Sequence, residues 1–145
     1  MDSIYLMSKE KLSYDDILLL ILKASFAGKY VFHAGNYWDW KKEPDIQIFT
    51  QNEESLIWVS PLGEEEVVFC YNGESYYYAL GLRCRETEIM LNYCIKLLEQ
   101  GDFYIRNVFN KLFDLDRLIK STEIDRFSWM TEELPQNTEC YDLEN

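Results

Sequence analysis

The side chains best suited to covalent or metal chemistry are few and scattered. There is one histidine, His33, and there are four cysteines, Cys70, Cys84, Cys94 and Cys140. A zinc site needs four ligands, or three and an open position, at close spacing, and one histidine with cysteines placed singly does not supply it. A nucleophilic Cys-His pair could be assembled only from His33 with Cys70 or Cys84, and no local motif favours it. Cys70 and Cys94 read instead as small buried hydrophobes, and His33 as a partly buried loop residue. The six glycines stand apart, each accounted for by a turn or a helix end, so no phosphate cradle is assembled. Adjacent acids occur as Asp15-Asp16, Glu53-Glu54 and Glu64-Glu65-Glu66. Paired-carboxylate catalysis needs one carboxyl raised by an apolar pocket, whereas these fall at a helix start or in turns where water solvates them. The expectation is a chain without catalytic residues, cofactor or metal, and not an enzyme.

Charge is the more informative feature. Among 145 residues there are 26 acids against 14 bases, a formal net charge of −12. Direct nucleic-acid binding is disfavoured, because phosphate neutralisation by Lys and Arg supplies most of that affinity, and an anionic membrane surface is disfavoured for the same reason. A strongly acidic protein can steer itself onto a basic partner, although acidity also serves solubility alone. Residues 43–74 hold eight acids (Glu43, Asp45, Glu53, Glu54, Glu64, Glu65, Glu66 and Glu74) and no base, and residues 121–145 add a net −6. Residues 83–120 are nearly neutral. Beside the first acidic stretch stands Tyr37-Trp38-Asp39-Trp40, and Trp and Tyr are the usual anchors of protein interfaces. Tyr37, Trp38, Asp39, Trp40, Glu53, Glu54, Glu64, Glu65, Glu66 and Glu74 are therefore the candidate partner-binding residues.

The elements that would carry them follow from periodicity. Ser13 with Asp16 makes a capping box for a helix over about 13–27, with Gly28 as a left-handed terminator. Ile17, Leu18, Ile21, Leu22 and Ser25 follow helical spacing, and Leu19, Leu20 and Phe26 widen the apolar surface enough to predict packing on more than one side. A short strand is possible at 30–32. From Asp45 the period changes to two through Ile46 and Ile48, then 56–60, then 67–71, and Trp58 is expected in the core. Asn72-Gly73 is a two-residue type I′ turn signal joining 67–71 to 75–80, which sets Phe69 opposite Tyr76 and puts Tyr77 on the other face from Tyr76 and Tyr78. In this meander the 61–66 turn lies at the sheet end opposite the 51–55 and 72–75 loops.

A helix opens at Glu86-Thr87-Glu88 and closes at Gly101, and a further helix is predicted over about 103–120, with Ile105, Val108, Phe109, Leu112, Leu115 and Ile119 as its buried stripe. The expected architecture is α+β: an N-terminal helix, an antiparallel meander of three or four strands, and two C-terminal helices packed on the sheet, in one domain spanning 1–145 with an acidic tail that frays from about 131. No run approaches the roughly 20 apolar residues of a membrane span. The N-terminus lacks a secretory pattern, and the unpaired cysteines suit a reducing cytoplasm.

In character the chain resembles bacterial immunity proteins of polymorphic or contact-dependent toxin systems. Gly73 to Arg85 resembles a strand leading to an arginine turn, and Asp102, Arg106 and Phe109 resemble an Asp, Arg, Phe spacing on the last helix of some such families, without the double arginine, since Ile105 precedes Arg106. The resemblance implies stoichiometric inhibition of a toxin domain, often a nuclease, by covering its basic active cleft, with the inhibitor a monomer or weak dimer. Two other readings compete: a phage-encoded DNA mimic that inhibits a nucleic-acid-binding complex, and a small enzyme of unrecognised chemistry.

Overall fold

A computed structural model describes residues 4–34, 46–52, 55–62 and 67–144. The protein is α+β, with three α-helices on a sheet whose strand pairings, among the described residues, are all antiparallel. The chain opens on a strand rather than a helix. β1 (Ile4–Ser8) lies inside the sheet between β6 (Glu74–Cys84) and β7 (Phe103–Arg106), its apolar Ile4, Leu6 and Met7 fully buried. Five residues are too few to declare their partners from sequence.

α1 (Tyr14–Ala27) starts at the predicted capping box, with Asp16 N–H donating to Ser13 Oγ and Ser13 N–H to the Asp16 carboxylate. Its buried stripe is Ile17, Leu20, Ile21, Ala24 and Ser25, while Leu19, Leu22 and Phe26 are exposed. Packing on several sides is thus corrected to one face. Gly28 is not left-handed (φ −90°); Lys29 takes that conformation (φ 59°). Glycine is needed at 28 for space, since a Cβ there would stand 2.2 Å from the Tyr30 ring.

β2 (Val31–Ala34), β3 (Ile46–Phe49), β4 (Leu56–Pro61) and β6 follow in sheet order, so His33 belongs to an edge strand, exposed, and not to a loop. Ile57 and Val59 face the core, and Trp58, on the other face of β4, is half-buried rather than a core residue. β5 (Val67–Tyr71) pairs with Glu74–Tyr77 of β6, and β4 pairs with Leu80–Cys84 of the same strand on the same edge. β4 and β5 therefore run in one direction along β6 and are not the two arms of a hairpin, while residues 63–66 lie outside the described residues. The expected 61–66 hairpin turn is corrected accordingly. Between β5 and β6, Asn72 (φ 48°) and Gly73 (φ 81°) form the predicted turn, and Phe69 sits opposite Tyr76. Gly73→Val should cost more than about 1 kcal/mol, because a β-branched residue at positive φ is strained; an unchanged thermal midpoint would contradict this account of the turn.

α2 (Thr87–Leu98) buries Met90, Leu91, Tyr93, Cys94, Leu97 and Leu98 against the sheet and α1. The second predicted helix is corrected: residues 103–113 form the hairpin of β7 and β8 (Leu112–Phe113), and α3 runs only from Leu115 to Ile124. Of its predicted stripe, Ile105 and Leu112 are buried, but Phe109 and Ile119 are exposed. A 3₁₀ turn at Ser128–Met130 buries Trp129. The tail expected to fray includes β9 (Cys140–Glu144), paired with β5 from Val67↔Glu144 to Tyr71↔Cys140. No helix among the described residues is long and apolar enough to cross a membrane.

Candidate partner-binding face

The sheet has two unlike faces. On one, all three helices contribute to the main core. On the other, strand alternation gathers Tyr5, Met7, Phe69, Tyr71, Tyr76, Tyr78, Tyr104 and Leu112 into a second cluster. Tyr76 meets Tyr104 edge to face at 5.1 Å, and Tyr5 meets Tyr78 at 5.4 Å.

Arg106 lies across this aromatic face with its side chain 12% exposed. The guanidinium carbon stands 4.2 Å from the Phe69 ring centroid and 5.5 Å from those of Tyr5 and Tyr78. Its nitrogens donate to Asn110 Oδ1, at 3.0 Å from Nε, and to the Tyr78 hydroxyl, which in turn donates to Asp142 Oδ1 at 2.5 Å. Arg106 also pairs with Asp142 at 3.8 Å. The route from β7 to β9 crosses four strand intervals, about 19 Å on a flat sheet at about 4.8 Å each, far beyond the reach of an arginine. The sheet must therefore coil toward this face, and Arg106 ties the coil shut.

Burial pushes Tyr78 upward, and its bond to Asp142 adds to the shift; burial and the bond to Glu74 do the same for Tyr76, and burial dominates at Tyr93 on the helical side. Each is neutral in the folded chain and ionises more easily unfolded, so their contribution to stability is complete below about pH 10 and is lost as pH rises beyond it. Alkaline titration should show phenolate absorbance at 295 nm arriving together with loss of far-UV ellipticity. Ionisation of all eleven tyrosines before any unfolding would contradict it.

Of the sequence-predicted partner residues, Tyr37, Trp38, Asp39, Trp40, Glu53, Glu54, Glu64, Glu65 and Glu66 lie outside the described residues. Glu74 is exposed, but it is engaged within the chain. It accepts from Tyr76 Oη at 2.8 Å and pairs with Lys9 at 3.5 Å, contacts that lower its pKa in that order.

The structure adds a patch that the sequence reading passed over. β9 pairs with β5 alone among the described residues, so no described strand covers its far edge. Tyr141 is 59% and Leu143 50% exposed. By register they share a face with Cys70, Val68 and Tyr77, all half-buried, while Asp142 projects to the Arg106 side and Glu139 is exposed just before the strand. The alternation Tyr141-Asp142-Leu143 was the available signal, hidden because the tail's acidity read as disorder. Cys70, expected to be buried, belongs to this half-exposed face; Cys84 and Cys94 are buried, and all four thiols are free. Among the described residues no group of three His, Cys, Asp or Glu could hold a metal ion.

No family model, curated protein or solved structure matches the chain.

Proposed function

We propose that this chain is a non-enzymatic acidic binding protein that neutralises a basic protein partner, in the manner of an immunity protein covering the cleft of a nuclease toxin domain. The observation that carries the reading is the outer strand β9, where Tyr141 and Leu143 are exposed beside Glu139 and Asp142 in a chain of net charge −12. Large apolar groups at a surface otherwise rich in acids offer what an interface needs, short-range anchors within a field that attracts cations. The Glu64-Glu65-Glu66 run precedes Val67 directly in the chain and adds to the acidity entering β5.

The test is kinetic. The proposal expects the reading frame directly upstream to encode a secreted protein with a basic C-terminal domain, and that domain is the probe, mixed with this chain at several salt concentrations. Association should slow steeply as salt rises, and reversing Glu64, Glu65 and Glu66 to Lys should slow it and flatten that dependence, because long-range charge acts mostly on the on-rate. Tyr141→Ala should act mainly by speeding dissociation, about tenfold or more. Salt-independent association would remove the electrostatic basis of the proposal, and failure of the two proteins to associate at all would remove the proposal itself.

A further inference from the structure

We infer that the basic partner is recognised by strand addition: a segment alternating basic and apolar residues extends the sheet along the edge of β9 that no described strand covers. The inference rests on the proposed binding function and specifies how that surface works.

The backbone polarity of β9 follows from two independent registers. In a two-residue hairpin the flanking residues form a hydrogen-bonded pair, so Tyr71, opposite Glu74, turns its N–H and C=O toward β6. Phe69 and Val67 then do the same, which leaves Val68, Cys70 and Asn72 facing β9. The Asn72 N–H donates to the Glu139 carbonyl at 2.8 Å, as that alternation requires. Asn72, Cys70 and Val68 are matched with Glu139, Tyr141 and Leu143, so these turn their backbone groups inward to β5. Cys140 and Asp142, between them, present N–H and C=O outward. Such an edge is a template for another strand.

The side chains select which strand. A second copy of this chain is disfavoured, because antiparallel pairing of two β9 strands brings two acidic edges together, and pairing centred on Asp142 sets its carboxylate against its own copy. Asp142 remains 45% exposed despite its contact with Arg106, so the position opposite it favours Lys or Arg. On the other face Tyr141 and Leu143 continue the surface of Val68 and Tyr77 and favour apolar neighbours. Cations and apolar groups must then alternate with period two, the pattern of a half-buried strand.

The probe is a synthetic peptide of about nine residues alternating lysine and valine, with a control in which every lysine is glutamate. The readout is amide hydrogen exchange resolved by residue on the full chain. Saturating the lysine peptide should slow exchange at the Cys140 and Asp142 amides at least about tenfold, leave Tyr141 and Leu143, already paired to β5, little changed, and the glutamate peptide should do neither. Leu143→Lys, a substitution at a half-exposed site, should weaken the lysine peptide about tenfold while the exchange pattern of β5 shows that the strand is still in place. Equal binding of both peptides, or no binding of the lysine peptide to the folded chain, would overturn strand addition. So would a basic domain that associates with salt-dependent kinetics yet leaves Cys140 and Asp142 exchanging as in the free chain; in that case the proposed binding function stands and the strand does not. Absence of any salt-dependent association with the basic domain fails the binding function instead.

Discussion

Asn107→Ala should lower the free energy of unfolding by about 3–5 kcal/mol, a large share of the roughly 5–15 kcal/mol that holds a domain of this kind together. Asn107 is 2% exposed, and its amide spends every hydrogen-bonding position on a different piece of chain. Oδ1 accepts from the Phe109 and Lys111 N–H groups at 2.9 and 3.0 Å, which shapes the turn between β7 and β8. Nδ2 donates to the Trp129 and Glu132 carbonyls at 2.9 and 2.8 Å, which docks the segment after α3. Alanine removes both donors and the acceptor and leaves two N–H and two C=O groups short of partners, at about 1–3 kcal/mol for each that stays buried. Relaxation toward water at the part-buried Glu132 and Lys111 ends keeps the sum below four full penalties. Asn107→Asp keeps the acceptors but aims a carboxylate at two carbonyl oxygens, so it should be at least as damaging at neutral pH. Urea unfolding of the two variants measures both, and an Asn107→Ala midpoint within error of the parent would refute this account of the turn.

Asn107 also marks where sequence reading ran out. Ile105, Phe109, Leu112 and Leu115 fit a helical period, yet Ile105 is matched with Phe113 across a hairpin whose turn holds Asn110 at φ 68°. A stretch with one apolar residue every three or four positions fits either structure, and what decides here is a long-range bond from Asn107 to residues 129 and 132 that no local window contains. Signals closed within a few residues were legible: the capping box at Ser13, the Asn72-Gly73 turn, and the opposition of Phe69 and Tyr76 that the turn dictates. Pairings that join distant parts of the chain were not. β1 and β9 are each five residues long and find their partners more than 60 positions away, at β6 and β5. The candidate face followed the same rule, since Tyr77 was assigned to the correct side by alternation alone, whereas Tyr141 and Leu143 become its neighbours only through the pairing of β9.

Arg106→Ala should cost about 2–4 kcal/mol and should release β9 before the rest of the sheet. Three effects compete. Loss of the stacked stem and guanidinium from Phe69, Tyr5 and Tyr78 removes packing and cation–π attraction, the latter about 1–2 kcal/mol where the cation is desolvated. Loss of the charge leaves Tyr78 and Asp142 without their cationic partner, but Asp142 is 45% exposed, so water takes over much of that role and the penalty stays well short of a fully buried broken pair. Removing a buried cation also relieves its own desolvation, which works in the variant's favour. Packing therefore dominates, and Arg106→Leu, which refills the space over Phe69, should recover more than half of the alanine loss. Arg106→Lys restores charge without the planar fork that reaches Asn110 and Tyr78 together, and should recover less than leucine. Because Arg106 and Tyr78 are the side chains that hold Asp142, the amides of Tyr141 and Leu143 should exchange faster in Arg106→Ala while those of the β1 and β6 core keep their protection. The order alanine, lysine, leucine in rising stability identifies packing as the larger effect. A lysine variant more stable than leucine would make charge the larger one, and uniform loss of protection across the sheet would mean that Arg106 supports the whole fold rather than fastening its outer strand.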